Sequence, residues 1–203
     1  MLAAGVLVFE LLFLGMAFGA RTWVQWRRTG DTGWRIRGAG QGQERAARVL
    51  LALGLVLAPA APVADLVGWP RWSPLDAVGV QVAGVVLLVG GALLTVAAQF
   101  AMGRSWRIGV DRDERTDLVT DGLYRWARNP IYTGMLAASA GVALVLPNLV
   151  AAIGLVAVVI GLELQVRLVE EPYLLDGHGE SFRSYASRVG RFVPGFGRLP
   201  SHA

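Results

Sequence analysis

Five apolar runs divide the chain: Leu2–Ala20, Ala46–Val67, Val78–Met102, Tyr132–Leu146 and Leu149–Val169. A helix needs roughly 20 apolar residues to cross the hydrocarbon core. The pattern therefore predicts an all-α, polytopic membrane protein of about five transmembrane helices, the short fourth one starting within the interface. The first run has no basic segment before it and is followed by further spans, so it reads as a retained helix and not as a signal peptide. Only Pro147-Asn148 separates the last two runs. They are expected to form a tight antiparallel hairpin, a rigid scaffold in which Gly134, Gly141, Gly154 and Gly161 let the backbones approach.

Between the apolar runs, arginine alternates. Seven lie from Arg21 to Arg48, one at Arg71, six from Arg104 to Arg128, none at the hairpin turn, and five from Arg167 onward. The excess of basic residues in cytoplasmic loops then puts the N-terminus outside and the first loop (21–45), the third loop and the C-terminal tail in the cytoplasm. The glycine-rich part of the first loop, Gly38-Ala39-Gly40-Gln41-Gly42, completes neither a phosphate-binding loop nor a dinucleotide fingerprint and reads as a solvated loop.

Composition agrees with the membrane reading and removes other chemistry. Hydrophobic residues make up 54% of the 203 and charged ones 17%, against about a quarter charged in soluble domains. The net charge of +4 comes entirely from arginine placed in blocks between spans, which does not suit nucleic acid. No cysteine is present, and His178 and His202 match no metal-ligand spacing, so no metal is expected.

Charged side chains inside a span are costly and so point to function. In the last run Glu163, Arg167, Glu170 and Glu171 fall at i, i+4, i+7 and i+8, one face of a regular helix, which is expected to turn from lipid toward a polar pocket at the cytoplasmic interface. The isolated Glu10 and Gln99 are expected to hydrogen-bond neighbouring helices in structural roles.

The sequence becomes specific in the segment GLYRWARNPIYTG, Gly122 to Gly134, where Pro130 would set the first turn of the fourth helix. It is followed by Glu170-Glu171-Pro172-Tyr173, then Gly179-Glu180-Ser181-Phe182-Arg183-Ser184-Tyr185, then Arg191-Phe192-Val193-Pro194. In this order the blocks resemble the isoprenylcysteine carboxyl methyltransferase family and the related phospholipid methyltransferases. The family pattern runs Gly-x-Tyr, Arg-His-Pro-x-Tyr-x-Gly, a helical hairpin, Glu-Glu and a tail ending Arg-x-x-Pro. The resemblance covers about Asp117 to Pro194.

That resemblance implies two regions: 1–103, with three helices and the 21–45 loop, and 104–203, a methyltransferase-like catalytic region with two helices and a cytoplasmic tail that caps a cofactor. It implies an S-adenosyl-L-methionine pocket lined by Tyr124, Arg128, Asn129, Pro130, Tyr132 and Gly134, closed by Glu170 and Glu171 and capped around Tyr185 and Arg191. Asn129 stands where the family has histidine and cannot titrate near neutral pH. Arg128 or Arg191 would hold the cofactor's carboxylate and Glu170 or Glu171 its ammonium. The methyl acceptor is expected to be a lipophilic small molecule or lipid-linked group. Glu163 and Arg167 are the catalytic candidates: Arg167 would orient a carboxylate acceptor, and Glu163 would take the proton from an amine or thiol. Two rival readings are an NADPH-dependent membrane reductase similar to the sterol reductases, which have a larger helical bundle, and a non-catalytic protein that retains the fold.

Overall fold

Apolar side chains on all sides make long helices out of four of the five runs: α1 (Leu2–Thr29), α2 (Gln43–Leu66), α3 (Val78–Ala101) and α5 (Leu149–His178). The fifth, α4 (Pro130–Val145), is apolar but only 16 residues long. A short α6 (Glu180–Arg188) completes the tail. The computed structural model describes residues 1–35, 42–111, 114 and 116–200. The run Gly38 to Gln41 and His202 lie outside the described residues. The fold is an all-α, multi-pass membrane architecture, with a two-residue parallel ladder among the described residues, β1 (Trp34–Arg35) against β2 (Ile108–Gly109).

Pro130 occupies the first turn of α4, as expected, because its missing N–H falls where no intrahelical acceptor exists. Asn148 caps α5 by accepting from the Ala151 amide at 2.9 Å and donates its own side-chain amide to the Ala61 carbonyl at 3.0 Å. One buried residue thus starts α5 and fixes it to the proline-containing end of α2.

The glycines expected to bring α4 and α5 together face other helices instead. Helix α4 packs most closely on α3, and α5 on α2. A Cβ on Gly141 would lie 2.6 Å from the Gly84 carbonyl oxygen, and one on Gly134 would lie 2.5 Å from that of Gly91. The pairs sit seven residues apart on both helices, so two turns of α3 and α4 share one seam where backbones touch. Gly161 likewise faces Leu51 of α2, and a Cβ on Gly54 would lie 3.2 Å from the Val158 amide nitrogen. The two-residue turn joins α4 and α5 without making them each other's main partner.

The first loop is expected to begin at Arg21, yet α1 continues through a π-helical stretch at Gly15–Ala20 and carries Arg21 and Gln25 into a buried position. Arg21 donates to the carbonyls of Gln99 (3.3 Å) and Gly103 (2.7 Å) and to Gln25 Oε1 (3.1 Å), and lies 4.5 Å from the Trp106 ring centroid. The end of α3 leaves carbonyls without intrahelical donors and carries negative partial charge. Arg21 satisfies both needs from a neighbouring helix.

The first loop, third loop and tail meet on one face of the bundle. Besides the β1–β2 ladder, Ala127 bridges Gly190, and the amides of Arg128 and Asn129 donate to the carbonyls of Gly190 and Arg191 at 2.8 and 3.0 Å. Arg35 and Arg107 both bind Glu114, and Arg35 also binds Asp31. These bonds hold the Glu114 carboxyl below the usual carboxylate range, and the Arg35 bond takes the largest share in lowering Asp31 to about 2.

Candidate active site

Where that polar face meets the spans, a cavity of about 910 Å³ opens. Leu51 and Leu55 of α2 and Leu162 of α5 form part of its wall. The rest comes from the motif segment (Tyr124, Arg128, Asn129, Tyr132), from Glu170 and Glu171, from the third loop near Leu118, and from Phe182 and Tyr185 of α6.

Tyr132 donates its hydroxyl to Glu170 Oε1, which also receives the Gln165 side-chain amide at 3.4 Å. Tyr124 is buried, donates to the Ala98 carbonyl at 3.3 Å, and accepts the Tyr185 hydroxyl on its own carbonyl at 2.5 Å. Burial pushes the Tyr185 phenol up to about 12 and that of Tyr124 higher still. Both remain protonated at neutral pH and serve as donors, not bases.

The two glutamates, adjacent in sequence, do different work. Glu171 Oε1 accepts from Arg128 at 2.6 Å and Arg191 at 2.9 Å, while its Oε2 accepts a second Arg191 bond at 2.9 Å. Arg128 spends its remaining terminal N–H groups on the carbonyls of Ala186 (2.9 Å), Val189 (2.5 Å) and Gly197 (2.9 Å). The bond to Glu171 raises Arg191 above the ordinary arginine value. This cluster latches the tail onto the bundle. The tail turns back tightly enough that a Cβ on Gly190 would lie 2.7 Å from the Phe196 carbonyl oxygen. Arg191, Pro130 and Gly134 do not line the cavity; they position what does.

Glu163 and Arg167 sit elsewhere. They pair with each other at 2.6 Å, their side chains are 39% and 58% exposed, and neither lines the cavity. The face expected to look inward at all four charges is split by a π-helical turn at Val166–Glu170. One extra residue in a turn shifts the phase by about 100°. Glu170 and Glu171 are thereby turned into the protein while Glu163 and Arg167 stay on its surface.

Gln99 and Gln165 line the cavity as well, and sequence reasoning had placed Gln99 in a structural role and passed over Gln165. Their signal was present: both are amides within otherwise apolar spans.

The phospholipid methyltransferase family model matches residues 80–181, from α3 into the start of α6. The chain belongs to the phospholipid methyltransferase family. The family resemblance is borne out; the match begins earlier than the blocks that carried it, taking in Gly84 and Gly91 of α3, and ends at residue 181, before Tyr185 and Arg191. The chain is 34% identical over 113 residues to protein-S-isoprenylcysteine O-methyltransferase B of Arabidopsis thaliana, 55% of this chain and 57% of that protein. It is 30% identical over 129 residues to the Homo sapiens protein-S-isoprenylcysteine O-methyltransferase, 62% of this chain and 44% of that one. The chain spans about half the length of the curated relatives it matches. Among solved structures it superposes on a eukaryotic intramembrane Ras methyltransferase, isoprenylcysteine carboxyl methyltransferase, with a TM-score of 0.67 at 21% identity, over 98% of this chain and 68% of that one. That likeness supports the all-α, polytopic fold.

Proposed function

We propose that this protein is an S-adenosylmethionine-dependent methyltransferase acting on a lipophilic acceptor, with its cavity, loops and tail on the cytoplasmic side. The observation that carries this reading is the cavity itself. Its volume lies within the roughly 300–1,000 Å³ of small-molecule sites, and its wall joins apolar side chains of the spans to the polar residues of the family motif. The arginine distribution supports the orientation. The relatives named as isoprenylcysteine O-methyltransferases support an isoprenylcysteine-like acceptor among the lipophiles considered.

The residues fit the cofactor. Arg128 lines the cavity and brings a guanidinium to its wall, the charge that a carboxylate would call for. Glu170, held by Tyr132, offers a carboxylate for an ammonium. S-adenosylmethionine supplies an electrophilic methyl group on a sulfonium. The protein's share is orientation: methyl transfer needs in-line approach of the nucleophile within about 3–3.5 Å. A carboxylate acceptor needs no base. An amine or thiol acceptor must lose a proton, and a carboxylate of the cavity wall, Glu170 among them, would accept it in place of the surface residue Glu163.

Calorimetric titration of S-adenosylmethionine and of NADPH into detergent-purified protein tests this reading. Wild type is expected to bind S-adenosylmethionine at micromolar concentration and Glu170→Ala to lose at least tenfold. NADPH binding in its place would move the protein to the reductase reading. Binding of neither would leave the non-catalytic one.

A further inference from the structure

The turn of the tail displays apolar side chains on its outside. Phe196 is 75% exposed and Val193 50%, and Trp126, one residue before the bridge that joins Ala127 to Gly190, is 57% exposed. The turn is closed and is no frayed end. The Arg191 amide donates to the Phe196 carbonyl at 2.7 Å and the Phe196 amide to that of Val193 at 3.2 Å. Gly195 and Gly197 supply the left-handed backbone, φ 83° and 70°, that so tight a path requires. A closed turn that holds its largest apolar residues outward calls for an apolar medium outside the protein.

The turn also sits beside two spans. The Thr133 hydroxyl, in the first turn of α4, donates to the Phe192 carbonyl at 2.6 Å, and Arg191 reaches Glu163 on the outer surface of α5 at 3.8 Å. Between Thr133 and Val145 helix α4 rises only about 18 Å, against roughly 30 Å of hydrocarbon. With the far end of α4 at one boundary of the hydrocarbon, whatever is bonded to Thr133 lies no farther out than the other. Two arginines flank the apolar groups. Arg125 lies over the Trp126 ring, 5.1 Å from its centroid, and Arg198 follows the turn; both are exposed, and neither has an ion-pair partner among the described residues. Tryptophan beside arginine suits a membrane–water interface, where the ring enters the acyl boundary and the guanidinium meets phosphate.

We propose that the Val193–Phe196 turn and Trp126 insert into the leaflet on the cavity side, with Arg125 and Arg198 against anionic phospholipid headgroups. The bilayer then fastens the tail from outside, as Glu171 does from inside. Lipid is the occupant because the turn is bonded to one spanning helix and continues the outer surface of another at Glu163. Insertion is independent of the methyltransferase reading, since it concerns what holds the tail and not what the cavity binds.

The chain has no cysteine, so a single introduced cysteine carries a label alone. Val193→Cys and Phe196→Cys report on the turn, and Ser181→Cys, exposed at the start of α6, is the aqueous control. Each full-length variant is labelled with an environment-sensitive fluorophore and reconstituted into phosphatidylcholine vesicles, with and without phosphatidylglycerol. Spin-labelled acyl chains should quench the turn labels at least twofold more than the control. In phosphatidylcholine alone, iodide in the buffer should quench them at least twofold less. Phosphatidylglycerol should strengthen the quenching by lipid, and Arg125→Gln with Arg198→Gln should abolish that gain. Turn labels that iodide reaches as freely as the control overturn insertion. Labels shielded from iodide yet untouched by spin-labelled lipid also overturn it, and assign the turn to a protein partner or a second copy of this chain. Insertion indifferent to phosphatidylglycerol, or a gain that survives the arginine substitutions, overturns the headgroup contact. The two turn positions are read separately, so that a substitution disturbing the turn at one leaves the other to decide.

Discussion

Glu171→Ala should release the tail while leaving the helical bundle folded. Its carboxylate takes three charged hydrogen bonds, one from Arg128 and two from Arg191, all buried. Removing it leaves Arg128 with no carboxylate partner among the described residues and Arg191 with the looser Glu163 pair at 3.8 Å. Breaking a buried ion pair from one side costs about 3–5 kcal/mol. At about 1.4 kcal/mol per decade, tail opening rises roughly a hundred- to several-thousand-fold. The cost falls on residues 189–199 because Arg128 and Arg191 are what hold them, whereas α3 and α4 rest on their own glycine seam. Hydrogen exchange read by mass spectrometry is the assay, comparing peptides from the tail with peptides from α3 and α4. The internal control is Arg167→Ala, which removes a solvent-screened surface pair worth about 0.2–1 kcal/mol without touching Arg191. Tail protection that falls no further in Glu171→Ala than in Arg167→Ala would refute the latch, as would exchange that rises equally in α3 and α4.

The seam itself gives a neighbouring-residue contrast. Gly91→Leu should lower the melting temperature by several degrees, since overpacking costs about 1–3 kcal/mol, while Gly90→Leu, with nothing within 4 Å of its Cβ, should be silent; equal effects would remove the close approach as a cause. Asp31 sits at about 2 instead of the ordinary 3.8 because the folded state favours its charged form. Its contribution is complete above about pH 4 and is lost as pH falls through the folded value. The Asp31 carboxyl carbon should titrate in NMR with a midpoint near 2, and a midpoint near 3.8 would show that the loop pairing is not formed in solution. Arg21→Lys should perturb the near-ultraviolet signal of Trp106 and cost about 1–3 kcal/mol, because an ammonium cannot reach the several acceptors a guanidinium fork spans. An unchanged spectrum and melting temperature would contradict that role.

The sequence alone was enough for the membrane, the number of apolar runs and the family, because these depend on local properties: length and hydropathy of a run, the placement of arginine, and residue types in a fixed order. Pro130 at the start of α4 was legible for the same reason, since its backbone constraint acts within one turn. What required tertiary structure was every question of which face meets which. Gly134 and Gly141 announce a close approach but not the partner, and only the bundle shows them against α3 and not α5. The four charges of α5 were assigned one face on a constant 100° per residue, and a single wide turn undid that assignment, turning two inward and leaving two outside. Glu170 and Glu171 look alike in the chain, yet one meets a tyrosine in the cavity wall and the other two arginines that fasten the tail. Their roles come from partners 20 to 43 residues distant, and no local pattern records such distances.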